Sequence, residues 1–399
     1  MVLINILHHK NRIATLKKDK EFVLEYHGFD IKDSISLSLP NSQKFYISNE
    51  ITPYFETFLP EGYLFEIFKN HLTKEYGYID DFLLFKILSP NIEGRICFEV
   101  DTINNTNKEL ELDIENILAN DTRDTFNYLL QIFLDKNAIS GVQPKTLASL
   151  RDKESLRYKD YIIKTWGEEF KYLAENEYLT LKTIEFSGLE IPNLYLSQHK
   201  NFLIIERFDS KEFAFEELIS LFGKHKNKKY SGSYEQVAKL VYKYVNEPTI
   251  EMKKLFKLII MNYLLKNGDA HLKNFGLLFS DDFSEIKLSP VYDVVTTTAY
   301  IYRDKPALTL NGKKIWHSKK SLINFGIQHC YLSQKEAESL YDNATNALKK
   351  GILLVEDYIR NNPHFQNIGR KMIDSWTLSL DEKEYKEIPL EFIRDWKTD

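Results

Sequence analysis

Residues 267–274 read NGDAHLKN and, after Lys266, follow LFKLIIMNYLL, residues 255–265. So dense an apolar run predicts a helix buried on nearly all sides, with Asn267-Gly268 as its natural stop. Asp269 then leaves the core at a fixed place rather than at a floppy tip. Phosphoryl transfer uses such an aspartate to accept the proton of an attacking hydroxyl, and an asparagine five residues later can offer an amide oxygen to Mg²⁺. Asp269 and Asn274 stand at that separation, and Lys273 between them would neutralise a moving phosphoryl group. The spacing D-x-x-x-x-N is the one found in protein-kinase catalytic loops. Taken singly it is common, and a polar turn capping a helix also accounts for it.

Four further stretches bear on this reading. In KLSPVYDVVTT (287–297), Asp293 lies nineteen residues beyond Asn274. An aspartate on a strand hairpin there would be a second hard oxygen ligand, and an amide plus a carboxylate suit Mg²⁺. The other reading is that Asp293 caps the segment after it. In YIIKTW (161–166), Lys164 is the one cation on an otherwise apolar strand, costly unless it meets an anion. An ATP phosphate paired with a carboxylate from Glu175-Asn176-Glu177 would supply one; a snorkelling edge lysine is the alternative. SGVQPK (Ser140, Gly141, Val142, Gln143, Pro144, Lys145) is a glycine turn whose N–H groups could cradle phosphate, though it is no Walker motif. IIERFD brings a strand to Glu206, Arg207 and Phe208, where a backbone segment could line an adenine edge. Glycine turn, strand lysine, hinge, aspartate–asparagine loop and metal aspartate therefore occur in kinase order.

Composition sets the frame. The chain has 399 residues, 43% hydrophobic and 14% aromatic, enough for two or three domains with real cores. A formal net charge of −5 argues against a dominant nucleic-acid surface. Cys97 and Cys330 are far apart and unpaired with other ligand types, which excludes a disulfide scaffold or zinc ribbon and fits a reducing cytosol. No signal-peptide core and no 18-residue apolar span occurs, so the expectation is a soluble cytoplasmic protein without a membrane partner.

Periodicity organises the rest. Period-two patterns predict strands over NRIATLKKDKEFVLEYH and DSISLSLP, and again at EGRICFEV. TFLPEGYLFEIFKNHLTKEYG and IDDFLLFKIL read as helices, and DTINNTNKELE as a boundary near 101–110. A strand–helix–hairpin unit follows to about residue 210. From there helical periods are expected throughout, beginning with FAFEELISLFG. The basic run KHKNKKY (224–230) reads as a solvated linker between helices.

Together these stretches resemble the HipA-like serine/threonine kinases, the toxin components of bacterial type II toxin–antitoxin pairs. The residues that carry the likeness are SGVQPK, YIIK, NEY, IIERFD, GDAHLKNFGLLF and LSPVYDV in order, with FLPEGYLFEIF and DFLLFKILSPNIEGRICF in the first domain. The resemblance implies an α+β, two-lobed protein-kinase-like fold with an extra β-rich N-terminal subdomain and an all-helical C-lobe. The expected bounds are 1–105, 106–210 and 211–399. It implies Asp269 as catalytic base with Lys273 beside it, and Asn274 and Asp293 on Mg²⁺. Lys164 and the Ser140–Lys145 loop would meet ATP phosphates, Glu206–Phe208 the adenine, and His271 and Tyr292 would border the site. It further implies a protein substrate, an aminoacyl-tRNA synthetase, whose phosphorylation halts translation. A helix-turn-helix antitoxin would be the partner, with operator DNA contacted mainly through it. One departure stands out: where many members carry an autophosphorylated serine, three residues before the loop glycine, this sequence has Ala138, leaving Ser140 as the alternative acceptor. A kinase-like scaffold without catalysis, or a small-molecule kinase, would share most of these residue types.

Overall fold

The computed structural model describes residues 2–60, 69–70, 72–73, 76–92, 94–100, 114–137, 154–157, 161–166, 170–209 and 213–380. The architecture is mixed α and β, in two compact units. The first gathers Met1–Ala174, Asn193–Lys228 and Gly276–Ile286; the second gathers Glu175–Pro192, Lys229–Phe275 and Lys287–Asp399. The expected SGVQPK loop, Ala138 and most of the helix around Leu64, Phe65 and Phe68 lie outside the described residues.

The first unit opens with a five-stranded antiparallel sheet in the order β4-β3-β2-β1-β5. Its strands are β1 (Val2–His8), β2 (Asn11–Lys18), β3 (Phe22–Tyr26), β4 (Phe45–Ser48) and β5 (Ile96–Glu99). His9 and Lys10 form the two-residue β1–β2 turn, both left-handed at φ 47° and 67°, as the twist of a tight hairpin requires. One sheet face, with Ile4, Ile6, Leu16 and Leu24, packs with Phe55, Phe85 and Phe98 into a single core. Phe85 and Phe98 meet edge-to-face at 5.2 Å.

DSISLSLP is not a strand. Its alternation is real, but both faces are buried and side chains, not a neighbouring strand, satisfy its backbone. Tyr26 Oη donates to Leu39 O at 2.5 Å and accepts from Ile35 N at 2.9 Å. Glu216, fully buried, accepts from Leu37 N at 2.8 Å and from the Ser38 and Ser220 hydroxyls. Burial pushes the Glu216 carboxyl above its usual range despite those donors.

A second antiparallel sheet runs β6-β7-β9-β8, from β6 (Glu154–Arg157), β7 (Tyr161–Thr165), β8 (Leu194–Leu196) and β9 (Leu203–Glu206). Beyond residue 211 the all-helical expectation fails. Phe213–Glu217 is a strand, β10, and only Leu218–Leu221 is helical. β10 pairs antiparallel with β11 (Gly276–Ser280), setting Glu217 opposite Gly276. A β-carbon on Gly276 would lie 2.1 Å from Phe215 Cε2, so the glycine makes room for that ring. A further short strand, β12 (Ile286–Leu288), follows.

KHKNKKY is not a free linker either. Glu56 accepts from Lys226 N at 2.9 Å, and Lys226 Nζ lies 3.3 Å from Asp81 Oδ2. His8, His9 and Asp281 also gather, but His8 Nε2 and His9 Nε2 sit at 2.6 and 2.7 Å from the Asp281 carboxylate, closing directly on it. The Arg95 guanidinium bonds the same carboxylate at 2.9 Å and already supplies positive charge, so this is a structural clasp rather than a cation site.

The second unit is mainly helical. Pro248–Leu264 is buried along most of its length, as its sequence predicts, and packs against Gln334–Asn361 and Tyr234–Tyr244. Ser233 and Ser333 begin the latter two helices with reciprocal capping boxes. No described helix is long and apolar enough to cross a membrane.

Candidate active site

The site grows from the end of the Pro248–Leu264 helix. Lys266, not Gly268, takes the left-handed turn at φ 56°, and its carbonyl accepts from both Thr297 N and Thr297 Oγ1 at 3.2 and 3.1 Å. Lys266 itself is buried against the Trp316 ring at 4.8 Å, and burial lowers its ammonium to about 7. Gly268 serves a different need. Its N–H donates to Thr297 Oγ1 at 2.8 Å, and a β-carbon there would lie 1.9 Å from Asp304 Oδ2.

Asn267 fixes the next step. Its Nδ2 donates to Asn262 Oδ1 at 2.7 Å, while its Oδ1 accepts from Asp269 N at 3.1 Å. Asp269 therefore enters on a hydrogen-bonded turn, its side chain 44% exposed. His271 N donates back to Asp269 O at 2.7 Å, and Leu272–Asn274 forms one 3₁₀ turn.

Asn274 ties this loop to the second predicted motif. Its Nδ2 donates to Asp269 O at 3.0 Å and to Asp293 O at 3.1 Å. Two carbonyl acceptors fix which end of the amide is nitrogen. Oδ1, the atom a hard cation would use, therefore faces away from both. Tyr292 Oη adds a second tie, donating to Lys273 O at 2.7 Å. Asp293 is not on a strand as expected; it lies in the irregular segment after β12, left-handed at φ 58°, a conformation aspartate tolerates better than most. Nor is it a cap, because the next 3₁₀ turn, Thr297–Ala299, is preceded by Thr296.

Asp269, His271, Lys273, Asn274, Tyr292 and Asp293 thus share one hydrogen-bonded cluster within the second unit. Two family models match the chain. Residues 4–99 match the HipA N-terminal domain, and residues 137–352 match the HipA-like C-terminal domain. The chain belongs to the HipA-like family.

Two curated relatives of this HipA-like chain are named as kinases. The Haemophilus influenzae protein "Putative kinase" is 34% identical over 185 residues, covering 41% of this chain and 53% of its own length. "Putative kinase Y4dM" of Sinorhizobium fredii is 25% identical over 293 residues, 66% of this chain and 67% of that protein. The match thus spans about half the length of the first relative. Among solved structures, the Shewanella oneidensis HipA, in a complex with HipB and its operator DNA, covers 94% of this chain and 96% of its own. Its TM-score is 0.70 at 16% identity, a likeness of fold.

Lys164 and Glu206–Phe208 of the HipA-like chain sit in the first unit, whereas Glu175–Glu177 belong to the second. Lys164 is buried on β7, opposite Ser155 on β6 and Leu203 on β9. Glu206 ends β9 and accepts from Asn193 Nδ2 at 2.8 Å. Arg207 is held two-pronged by Asp209 at 3.0 and 2.8 Å, and Phe208 meets Phe215 edge-on at 5.3 Å.

Three contacts escape sequence reasoning. Asn176 binds the backbone of Thr296 as a strand would, donating to its O at 3.1 Å and accepting from its N at 2.8 Å, three residues after Asp293. Trp376 Nε1 donates to Thr296 Oγ1 at 2.8 Å. Tyr230 Oη donates to Asp269 Oδ1 at 2.8 Å. Asn176 lies within the NEY stretch; the other two carry no sequence signal.

Proposed function

We propose that this HipA-like protein is an ATP- and Mg²⁺-dependent serine/threonine-protein kinase with Asp269 as the base. The observation that carries the reading is the Asn274 amide, which binds the Asp269 and Asp293 carbonyls together. One side chain thereby ties together the backbone segments that carry the half-exposed Asp269 carboxylate, the Asn274 amide oxygen and Asp293. That donor set is all oxygen and includes a carboxylate, which fits Mg²⁺ with its retained waters and phosphate partners.

In this assignment Asn274 Oδ1 and Asp293 would hold Mg²⁺. When bound, the ion screens phosphate charge and orients the transferring group. Asp269 accepts the acceptor hydroxyl's proton as the hydroxyl oxygen bonds to the γ-phosphorus and the γ-phosphorus–oxygen bond to ADP breaks, releasing ADP, and Lys273 offsets negative charge on the transferring group. His271, buried with Nε2 3.9 Å from Asp269 Oδ1, borders the carboxylate. Lys164 is assigned to the ATP phosphates together with residues Ser140–Lys145, and Glu206–Phe208 to the adenine.

We extend the reading to biology through the family and its relatives. HipB and operator DNA accompany the Shewanella HipA, and we assign this chain a helix-turn-helix antitoxin as partner, with operator DNA bound mainly through it. The net charge of −5 favours that indirect contact over DNA binding by the chain itself. The inferred role is a cytoplasmic toxin whose substrate is an aminoacyl-tRNA synthetase.

The test is Asp269→Asn beside wild type. Labelled ATP with a bacterial lysate should mark one synthetase-sized band with wild type and none with the variant, while both bind Mg·ATP and melt alike. Label confined to small molecules would replace the protein-kinase reading with a small-molecule kinase. Absence of metal-dependent nucleotide binding would leave a scaffold.

A further inference from the structure

Tyr230 stands at the end of the basic run and belongs to no motif. Its phenol nevertheless donates to Asp269 Oδ1 at 2.8 Å. The backbone beneath it is anchored: Leu272 N donates to Lys229 O at 3.1 Å, and Lys314 Nζ donates to Tyr230 O at 3.1 Å. Its ring stands edge-on to the buried His271, centroids 5.2 Å apart at 79°. Yet Tyr230 is 46% exposed. A fixed backbone with a half-exposed ring can release the phenol by side-chain rotation, without disturbing a core.

The chemistry of that contact is specific. A hydroxyl about to be phosphorylated must donate its proton to the base carboxylate, across a hydrogen bond of about 2.6–3.2 Å. The Tyr230 phenol already makes that bond. We infer that Tyr230 is an acceptor-mimicking gate: it occupies the acceptor-hydroxyl position on Asp269 until an incoming hydroxyl displaces it. This rests on Asp269 being the base. The gate keeps water from the same position. Water placed there would give its proton to Asp269 and bond its oxygen to the γ-phosphorus. The γ-phosphorus–oxygen bond to ADP would break, releasing ADP and inorganic phosphate with no acceptor modified. A residue that merely orients the carboxylate predicts the opposite: its loss should slow every transfer, hydrolysis included.

The experiment measures phosphate release from Mg·ATP without a protein acceptor, using the full chain. Tyr230→Phe keeps the ring and loses the hydroxyl, and Tyr230→Ala removes both. Each should raise release about tenfold or more, the scale of one hydrogen bond to a charged group, with unchanged Mg·ATP affinity by calorimetry. Adding Asp269→Asn to Tyr230→Phe should abolish the gain. Release that falls or stays level in both variants, or a gain that survives Asp269→Asn, overturns the gate while leaving the kinase reading intact. If wild type itself fails to bind Mg·ATP, the kinase reading falls and the gate with it.

Discussion

Gly268→Ala puts one methyl group where the structure has least room for it. The new carbon would lie 1.9 Å from Asp304 Oδ2, 2.5 Å from its Cγ and 2.8 Å from Thr297 Oγ1. Asp304 is partly exposed and can turn away. Thr297 cannot, because its hydroxyl accepts from Gly268 N and donates to Lys266 O, and its own N–H also reaches Lys266 O. Relief must therefore come from the loop backbone. Overpacking of this kind costs about 1–3 kcal/mol, and loosening one of these hydrogen bonds adds about 1. A loss of roughly 2–4 kcal/mol lowers Tm by about 5–10 °C for a unit of this size. Asp269 is the next residue, and a displacement of about 1 Å at a reacting group can cost roughly 100-fold in turnover. Thermal melting by circular dichroism and acceptor phosphorylation with Mg·ATP measure the two effects. Gly28→Ala is the control, since a β-carbon there meets nothing within 4 Å. Wild-type melting and turnover in Gly268→Ala would refute the claim that the loop is held by this close approach.

Two further outcomes follow from other contacts. Asn176→Ala removes both hydrogen bonds to the Thr296 backbone and leaves its buried N–H unpaired, while Thr296 O keeps the Ala299 N–H at 3.2 Å, which should cost about 1–3 kcal/mol in urea unfolding. Turnover should also fall, because Thr296 follows Asp293 by three residues; an unchanged midpoint would show that the segment holds itself. Asp121 is buried and accepts from Ser197 Oγ, His199 Nδ1 and the amides of His199 and Asn201. Burial raises its carboxyl, but the donors outweigh that and hold it below the usual aspartate value of 3.8. A depressed carboxyl contributes stability above its unfolded value and loses it as pH falls through the folded one. The stability gap between wild type and Asp121→Asn should thus be constant near neutral pH and shrink below about pH 4. A gap that widens in acid would contradict this sign.

What could be read from the sequence, and what could not, divides by how far a residue's partner lies along the chain. The apolar run before NGDAHLKN declares its own burial, and the five-residue step from Asp269 to Asn274 lies within one loop, so both were legible. Phe213–Glu217 was not, because it reads helically by its own pattern and becomes a strand by pairing with Gly276–Ser280, about sixty residues on, where Gly276 admits the Phe215 ring. DSISLSLP failed for a related reason: alternation reports two environments, not which group satisfies the backbone, and here Tyr26 and Glu216 do so. Lys266 shows the same limit at one residue. Glycine is the usual left-handed helix stop, so Gly268 drew that role, whereas Thr297 pins the Lys266 carbonyl and forces the turn two residues earlier. Tyr230 is the functional counterpart. Its value in sequence is that of any aromatic residue ending a basic stretch, and its chemistry appears only once folding brings its hydroxyl onto Asp269. The motif therefore names the proposed base, while the residue inferred to gate it comes from a part of the chain with no pattern to read.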